Sequence, residues 1–261
     1  MKLIKYDLKS TLKFISVFYI LGIIFAIFTR IFLNIENSLI FNIIGQITSG
    51  ATISMLISIL INNLMRAWVR FKNTVYDDES YLTHTLPLSK KEIYLSKIIT
   101  SFIVMIISFV VSLFILYIAY YSKENLEILK NMLLPFTNLL DLSIIKILII
   151  IIFILFLELF SGLLCGYIGI IIGHRFNDKK ILNSVIFGFI SYSISQIIVL
   201  IILFIFALFN NNIMNIFITN DLKDLNILKT ISYIAILSYT IVIIINMYVS
   251  IKIFNKGVNV D

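Results

Sequence analysis

Six long runs of apolar residues constrain the fold of this chain more than any other feature. Each run can cross a hydrocarbon layer about 30 Å thick, which takes about 20 residues of α-helix. Only α-helices and closed β-barrels satisfy their backbone hydrogen bonds in lipid, and the runs lack the alternating pattern of barrel strands. They therefore predict six membrane-spanning helices, at residues 14–35, 39–64, 98–121, 144–173, 181–209 and 230–251.

The composition agrees with a membrane protein and argues against a soluble domain. Hydrophobic residues make up 60% of the 261 residues, charged residues 13%, and the mean hydropathy is +1.05. The polar segments, at most about 35 residues long, are shorter than chains that usually fold alone. We therefore predict a single all-α transmembrane domain over residues 1–261. The lone cysteine, Cys165, lies in a span and does not indicate a redox compartment.

The positive charges indicate how the spans are oriented. Of the 21 Lys and Arg residues, 15 lie in segments that six spans would place on the same side as both termini. The positive-inside rule predicts that this side is cytoplasmic and that the protein is a multi-pass component of the cell membrane. The net charge of +7 then reflects orientation, and no nucleic-acid partner is predicted.

The N-terminal segment before the first span has a regular basic pattern. Its lysines share one helical face, and an apolar face adjoins them: Lys2, Lys5, Lys9 and Lys13 beside Ile4, Leu8, Leu12 and Ile15. The pattern predicts an amphipathic helix on the inner membrane surface that contacts anionic lipids. The alternative is a simple orientation signal.

A polar insert, residues 76–97, separates the second and third spans. Thr74 followed by Asp77 resembles a helix start signal, which predicts a short helix over residues 75–85 with acidic residues in its first turn. That helix must stop near Pro87, because the residue before proline is displaced from helical geometry.

A second helix start follows the proline. Ser89 and Glu92 have the spacing of a capping box, so a helix should begin at Lys90 and continue into the third span. A push on the short helix would then move the span as a rigid body. The alternative is an ordinary capped connector.

The insert also resembles a known family. Residues Glu79 to Ser89 read ESYLTHTLPLS and are followed by Ile93 and Ser96-Lys97. The run resembles the cytoplasmic loop of type-2 ABC exporter permeases, in which an acidic residue and an aromatic precede TLP(V/L)S and SK opens the third span. The overall layout is similar too, although His84 stands where many relatives have a large apolar residue.

This resemblance implies a permease subunit that dimerises, as a homodimer or heterodimer, and couples to a separate cytoplasmic ABC ATPase. Its substrate would be an amphipathic peptide, a lipid-like molecule or an antimicrobial moved outward. The residues implied in contact with the ATPase are Asp77, Asp78, Glu79, Tyr81, Leu82, Leu86, Pro87 and Leu88.

The chain itself carries no sign of catalysis. It lacks the G-x-x-x-x-G-K-[ST] loop that binds ATP phosphates, so ATP and Mg are expected on the partner ATPase. Its two histidines, His84 and His174, have no second ligand at metal spacing. We predict a transport subunit with no catalytic residues, no metal and no cofactor of its own.

Small residues line one face of the fourth span and recur in the fifth. They are Gly162, Gly166, Gly169 and Gly173 in the fourth span, on the same face as Glu158, and Ser184, Gly188, Ser191 and Ser195 in the fifth. Such spacing lets another helix approach closely. The two stripes predict either an antiparallel hairpin or a dimer seam.

Glu158 is the acidic residue deepest in a span, where an ionised side chain is costly and usually faces protein or water. It is either a substrate-pathway or proton-carrying carboxylate, or a packing residue beside the glycines. Small polar residues that could share a pathway lining are Thr48, Ser49, Thr52, Ser191 and Ser195. Two other functions remain open: an ion-coupled secondary transporter using Glu158, and a non-transporting immunity or sensory protein.

Two features are expected near the outer ends of the spans. Arg30 and Glu36 are expected to pair or to reach toward the interface at the end of the first span. The segment 210–229 is amphipathic enough to dip back into the outer interface, and the family resemblance implies short re-entrant helices there; the alternative is a polar loop with an apolar clip.

Overall fold

The computed structural model describes residues 2–35, 39–210, 213–214 and 226–256, and within these ranges it is helical without β-strands. In chain order the helices are α1 (Lys2–Leu33), α2 (Leu39–Val75), α3 (Ser80–His84), α4 (Lys90–Tyr120), α5 (Lys123–Leu140), α6 (Ile144–Gly173), α7 (Lys180–Leu208) and α8 (Asn226–Asn255).

Six helices of the described ranges, α1, α2, α4, α6, α7 and α8, are long and apolar enough to cross a membrane. This confirms the prediction of an all-helical, multi-pass membrane protein. Of these, α2 continues to Val75, past the predicted end of its span at residue 64, and α4 begins at Lys90, where the capping box predicts a helix start. Both helices therefore extend beyond the predicted spans at the end that carries the polar insert.

The chain forms two compact units, Met1–Glu127 and Ile128–Asp261. In the first unit α1, α2 and α4 pack against one another, and α3 packs on α2. An apolar cluster of Ala26, Ile59, Ile115 and Ala119 forms the core between these three long helices. In the second unit α6, α7 and α8 pack together in the same pairwise way.

Polar side chains connect the helices of the first unit inside its apolar core. The Ser108 hydroxyl accepts a hydrogen bond from the Asn63 amide at 2.8 Å and lies 2.8 Å from the Tyr19 hydroxyl. The hydroxyls of Thr29 and Thr52 are 2.9 Å apart, and Thr52 is fully buried. Thr52 therefore joins α1 to α2 in this structure.

The N-terminal segment is part of the first long helix. The prediction of a separate interfacial helix is not confirmed, because Lys2–Leu33 is continuous. Lys5, Lys9 and Lys13 are exposed, as the pattern predicted. On the opposite side Asp7 and Ile15 are buried within the unit, so this part of α1 packs on protein.

The polar insert differs from the prediction in its first half. Thr74 is not a helix start: its hydroxyl donates to the Arg70 carbonyl at 2.7 Å inside α2, the usual back-bond of a mid-helix threonine. The short helix α3 begins only at Ser80, so Asp77 and Asp78 lie in the preceding turn and not in its first turn.

The second half of the insert follows the prediction. The capping box at the start of α4 is confirmed, with the Ser89 hydroxyl accepting from the Glu92 amide at 3.3 Å and the Glu92 carboxylate accepting from the Ser89 amide at 2.7 Å.

Near the predicted outer ends, Arg30 donates to the Ile118 carbonyl at 3.2 Å. Glu36 lies outside the described residues. Most of the segment 210–229 lies outside them as well, so its prediction stays a prediction.

Candidate functional site

The first unit contains a network of four charged side chains at the base of the polar insert, three of them buried and the fourth, Glu79, partly exposed. Asp7 of α1 accepts from the Arg70 guanidinium of α2 at 3.1 Å and from the Lys97 ammonium of α4 at 2.7 Å. Arg70 also donates to Glu79, in the turn before α3, at 2.7 Å. The network therefore joins the three long helices of the unit to the insert.

Burial makes this network energetically sensitive. Asp7 is 1% exposed, Lys97 3% and Arg70 8%. Charges withdrawn from water are tolerated only when they are paired, and here two carboxylates match two cations. Removing one member would leave a buried charge without its partner, so the four groups hold the helices in one arrangement.

Further contacts hold the insert against α2. Lys72 and Asp77 form an ion pair of 2.7 Å, and the His84 ring lies 3.1 Å from the Val75 carbonyl. Tyr76 is buried at the turn, with its ring packed edge-on to Phe71. The start of the insert is thus fixed by side chains of the same chain.

The tip of the insert is exposed. Tyr81 is 76% and Leu82 67% exposed, although both are large apolar side chains. Asp78, Leu86, Pro87 and Leu88 are also exposed. Aromatic and aliphatic side chains presented together outside the apolar spans are typical of a surface that binds another protein.

In the structure, the eight residues predicted to contact an ATPase fall into two groups. Asp77 and Glu79 form ion pairs within the chain, whereas the other six are exposed at the tip. Sequence reasoning did not identify Asp7 or Arg70, and it treated Lys97 only as part of a motif. Asp7 was detectable in principle, because it is an acidic residue among the N-terminal lysines.

The small-residue stripes of the second unit meet in one helix pair. A Cβ added at Gly169 of α6 would lie 2.4 Å from the backbone nitrogen of Gly188 in α7, and one at Gly173 would lie 2.4 Å from the backbone nitrogen of Ser184. No side chain fits at these distances. The stripes therefore form an antiparallel hairpin within the chain, while Gly162 has open space beside it.

A buried polar layer lies next to this hairpin. Asn246 of α8 donates to the Ser195 hydroxyl of α7 at 3.1 Å, and the Cys165 thiol of α6 lies 3.3 Å from the same hydroxyl. Ser161, one turn before Cys165, is fully buried. All three helices of the unit contribute to this layer, and Ser191 borders it through Cys165.

Glu158 lies in a second polar group. It is half-buried, and Tyr192 and Tyr239 are close enough to its carboxyl group to interact with it electrostatically. Gln196 lies beside both tyrosines. Among the described residues no Lys or Arg forms an ion pair with Glu158. This group could bind a proton or the positively charged part of a ligand.

The described residues contain no cluster of three or more His, Cys, Asp or Glu side chains that could hold a metal ion. Comparison of the chain with protein-family models, with curated proteins and with solved structures finds no match. The functional interpretation therefore depends on the geometry of the chain itself and on the motif resemblance.

Proposed function

We propose that the chain is the membrane-spanning subunit of an ATP-driven ABC exporter. It acts as half of a dimer, with both termini and the polar insert in the cytoplasm, and moves an amphipathic peptide, a lipid-like molecule or an antimicrobial outward. ATP is bound and hydrolysed by a separate ATPase chain. The observation that carries the proposal is the exposed tip at Tyr81 and Leu82, supported by a buried ion network.

The network explains how a force on the tip would reach the spans. Glu79 lies next to α3 and is bonded to Arg70, which shares Asp7 with Lys97. A displacement of α3 by a docked ATPase would act on α1, α2 and α4 together, because their buried charges cannot separate without losing their partners. The coupling element is therefore α3 with this network.

The second unit would contribute the substrate pathway. Its three spans enclose Ser195, Asn246 and Cys165, and they carry Glu158 beside two tyrosines. Polar groups within a membrane are costly and commonly mark substrate or ion pathways.

Photo-crosslinking tests the proposed docking surface. Leu82→benzoylphenylalanine, expressed in the native host, is expected to trap a chain that contains the ATP-binding G-x-x-x-x-G-K-[ST] loop, and the purified adduct should hydrolyse ATP. Leu126→benzoylphenylalanine is the control, because Leu126 is also partly exposed but lies beyond the far end of α4. Mass spectrometry identifies the adducts.

Two results would contradict the proposal: no ATPase is trapped at position 82, or position 126 traps the same ATPase with equal yield.

Asp77 and Glu79 make poor positions for this test. Reversing their charges would break the ion pairs with Lys72 and Arg70 and disturb the fold of the insert itself.

Glu158→Gln tests the pathway. Glutamine keeps the size and the polarity of this half-buried side chain, so the fold should persist. ATP-driven uptake of a fluorescent amphipathic peptide into inverted vesicles should fall by about tenfold or more, a loss of at least about 1.4 kcal/mol of transition-state stabilisation. Glu127→Gln, on the exposed surface of α5, should transport normally.

A second candidate function is ion-coupled transport with Glu158 carrying a proton. The observation in its favour is that this carboxyl group has phenol neighbours and no ion-pair partner among the described residues. It predicts peptide transport driven by a pH gradient without any ATPase, and abolished by Glu158→Gln. Unchanged transport by that variant across pH removes Glu158 from both mechanisms.

A further inference from the structure

The helix α5 has no place in the proposed mechanism and is the most amphipathic of the long helices. Its 18 residues follow α4 after a two-residue turn and precede α6 by three residues. At 100° per residue most of the large apolar side chains fall on one half of the helix and the charged ones on the other, where Leu134 also lies. The apolar half is Leu126, Leu129, Met132, Leu133 and Phe136.

Much of this apolar half is exposed in the described part of the chain. Met132 is 67% exposed, Phe136 43%, and Leu126 and Leu129 are each 38% exposed. No helix of the described ranges packs extensively along α5. Only its C-terminal end, at Phe136 and Leu140, borders a small apolar cavity with α6 and α8.

The turn between α4 and α5 sets where α5 starts. The Ser122 hydroxyl accepts from the Asn125 backbone amide at 3.0 Å and so caps the helix. The Asn125 side chain donates to the Tyr120 carbonyl at 2.8 Å, which closes off the last turn of α4. The rings of Tyr117 and Tyr121 pack at this end with centroids 4.6 Å apart, and tyrosines are typical of the boundary between membrane and water.

We propose that α5 is a membrane-surface helix whose apolar half binds the lipid bilayer at the surface where α4 leaves it and α6 enters it. Both neighbours are membrane-spanning helices with connections of a few residues, so the bilayer is the nearest apolar phase that can cover this face. The helix does not cross, because Lys123, Glu124, Glu127 and Lys130 occupy its first half.

Two details fit this position. Pro135 cannot donate a hydrogen bond to the carbonyl of Asn131, and Asn131 lies on the charged half, where water can satisfy that carbonyl. The charges of the four charged residues of α5 sum to zero, so electrostatic attraction to anionic lipid adds nothing to membrane binding. Burial of apolar area drives the binding, which should be independent of ionic strength.

Tryptophan placed on either half of α5 tests the proposal. Trp68→Phe removes the chain's single tryptophan, and Met132→Trp or Asn131→Trp then supplies one reporter on the apolar or on the charged half. Both positions are exposed, so both variants should fold. The proteins are reconstituted into phosphatidylcholine vesicles that contain lipids brominated near the headgroup end of the acyl chain.

We expect the Met132→Trp reporter to emit at shorter wavelength, to lose most of its emission to brominated lipid and to be protected from aqueous acrylamide. The Asn131→Trp reporter should show the reverse, and salt should change neither. Equal acrylamide quenching of both reporters would overturn the proposal. So would a blue-shifted Met132→Trp reporter that brominated lipid does not quench, because a protein surface, such as a second copy of the chain, would then cover this face.

Discussion

Asp7→Asn is expected to destabilise the first unit by about 3–5 kcal/mol, the usual cost of breaking a buried ion pair by removing one partner. Asp7 neutralises two cations, Arg70 and Lys97, and is itself 1% exposed. After the substitution Arg70 retains Glu79, but Lys97 keeps no carboxylate in direct contact within the described structure. The loss should appear as an earlier transition when the purified protein is titrated with SDS in mixed micelles.

Asp78→Asn is the matched control for Asp7→Asn. It makes the same chemical change in the same unit, but Asp78 is exposed in the turn before α3. Its SDS transition should match that of the unsubstituted protein. A similar shift for both variants would show that the effect is one of net charge and not of the buried network.

The double variant Asp7→Asn with Lys97→Met separates the ion pair from general disruption. The methionine removes the cation that Asp7→Asn leaves unpaired, and it fills similar space. We expect the double variant to be more stable than Asp7→Asn alone. Strictly additive losses would mean that Asp7 and Lys97 do not interact, which would contradict the 2.7 Å contact.

Gly169→Ala is expected to separate α6 from α7 and to destabilise the second unit by about 1–3 kcal/mol or more, as overpacking does in tight cores. The new Cβ would lie 2.4 Å from both the Ser184 carbonyl oxygen and the Gly188 nitrogen. These are backbone atoms, so a simple side-chain rotation cannot relieve the clash, and the helices must move apart.

Two other glycines of the same stripes provide controls. A Cβ at Gly188 would have its nearest neighbours at 3.8 Å, an ordinary contact, and one at Gly162 would meet nothing within 4 Å. Gly188→Ala and Gly162→Ala should therefore unfold near the midpoint of the unsubstituted protein in a thermal melt. If all three substitutions are tolerated equally, the close approach of α6 and α7 at Gly169 is wrong.

The glycine stripes and the ion network could be recognised from the sequence to different degrees. The spacing of the glycines identified the stripes. It did not decide whether they pack in a hairpin within the chain or in a dimer seam. The pairing of the ion network was not visible, because Asp7 is separated from Arg70 by 63 residues and from Lys97 by 90. Spacing along one helix identifies a face, whereas the identity of the facing helix depends on how the chain turns and packs.

Within the polar insert, one helix start could be predicted from the sequence and the other could not. The capping box at Ser89 was predictable because it involves residues three apart, and the residue types alone specify it. The start signal at Thr74 was wrong, because the same residue type also back-bonds within a helix that continues. Whether a helix starts or continues at Thr74 depends on how α2 packs against α1, α3 and α4.

By itself the sequence determined the membrane class, the order of the six apolar spans and the start of α4. Each of these follows from hydrocarbon thickness or from contacts between residues a few positions apart. Only the tertiary structure decided that Asp7 and Glu79 meet Arg70, that Gly169 faces Gly188, and that Thr52 is buried against Thr29. These contacts depend on the rotation and pairing of whole helices, which apolar runs of nearly uniform composition do not specify.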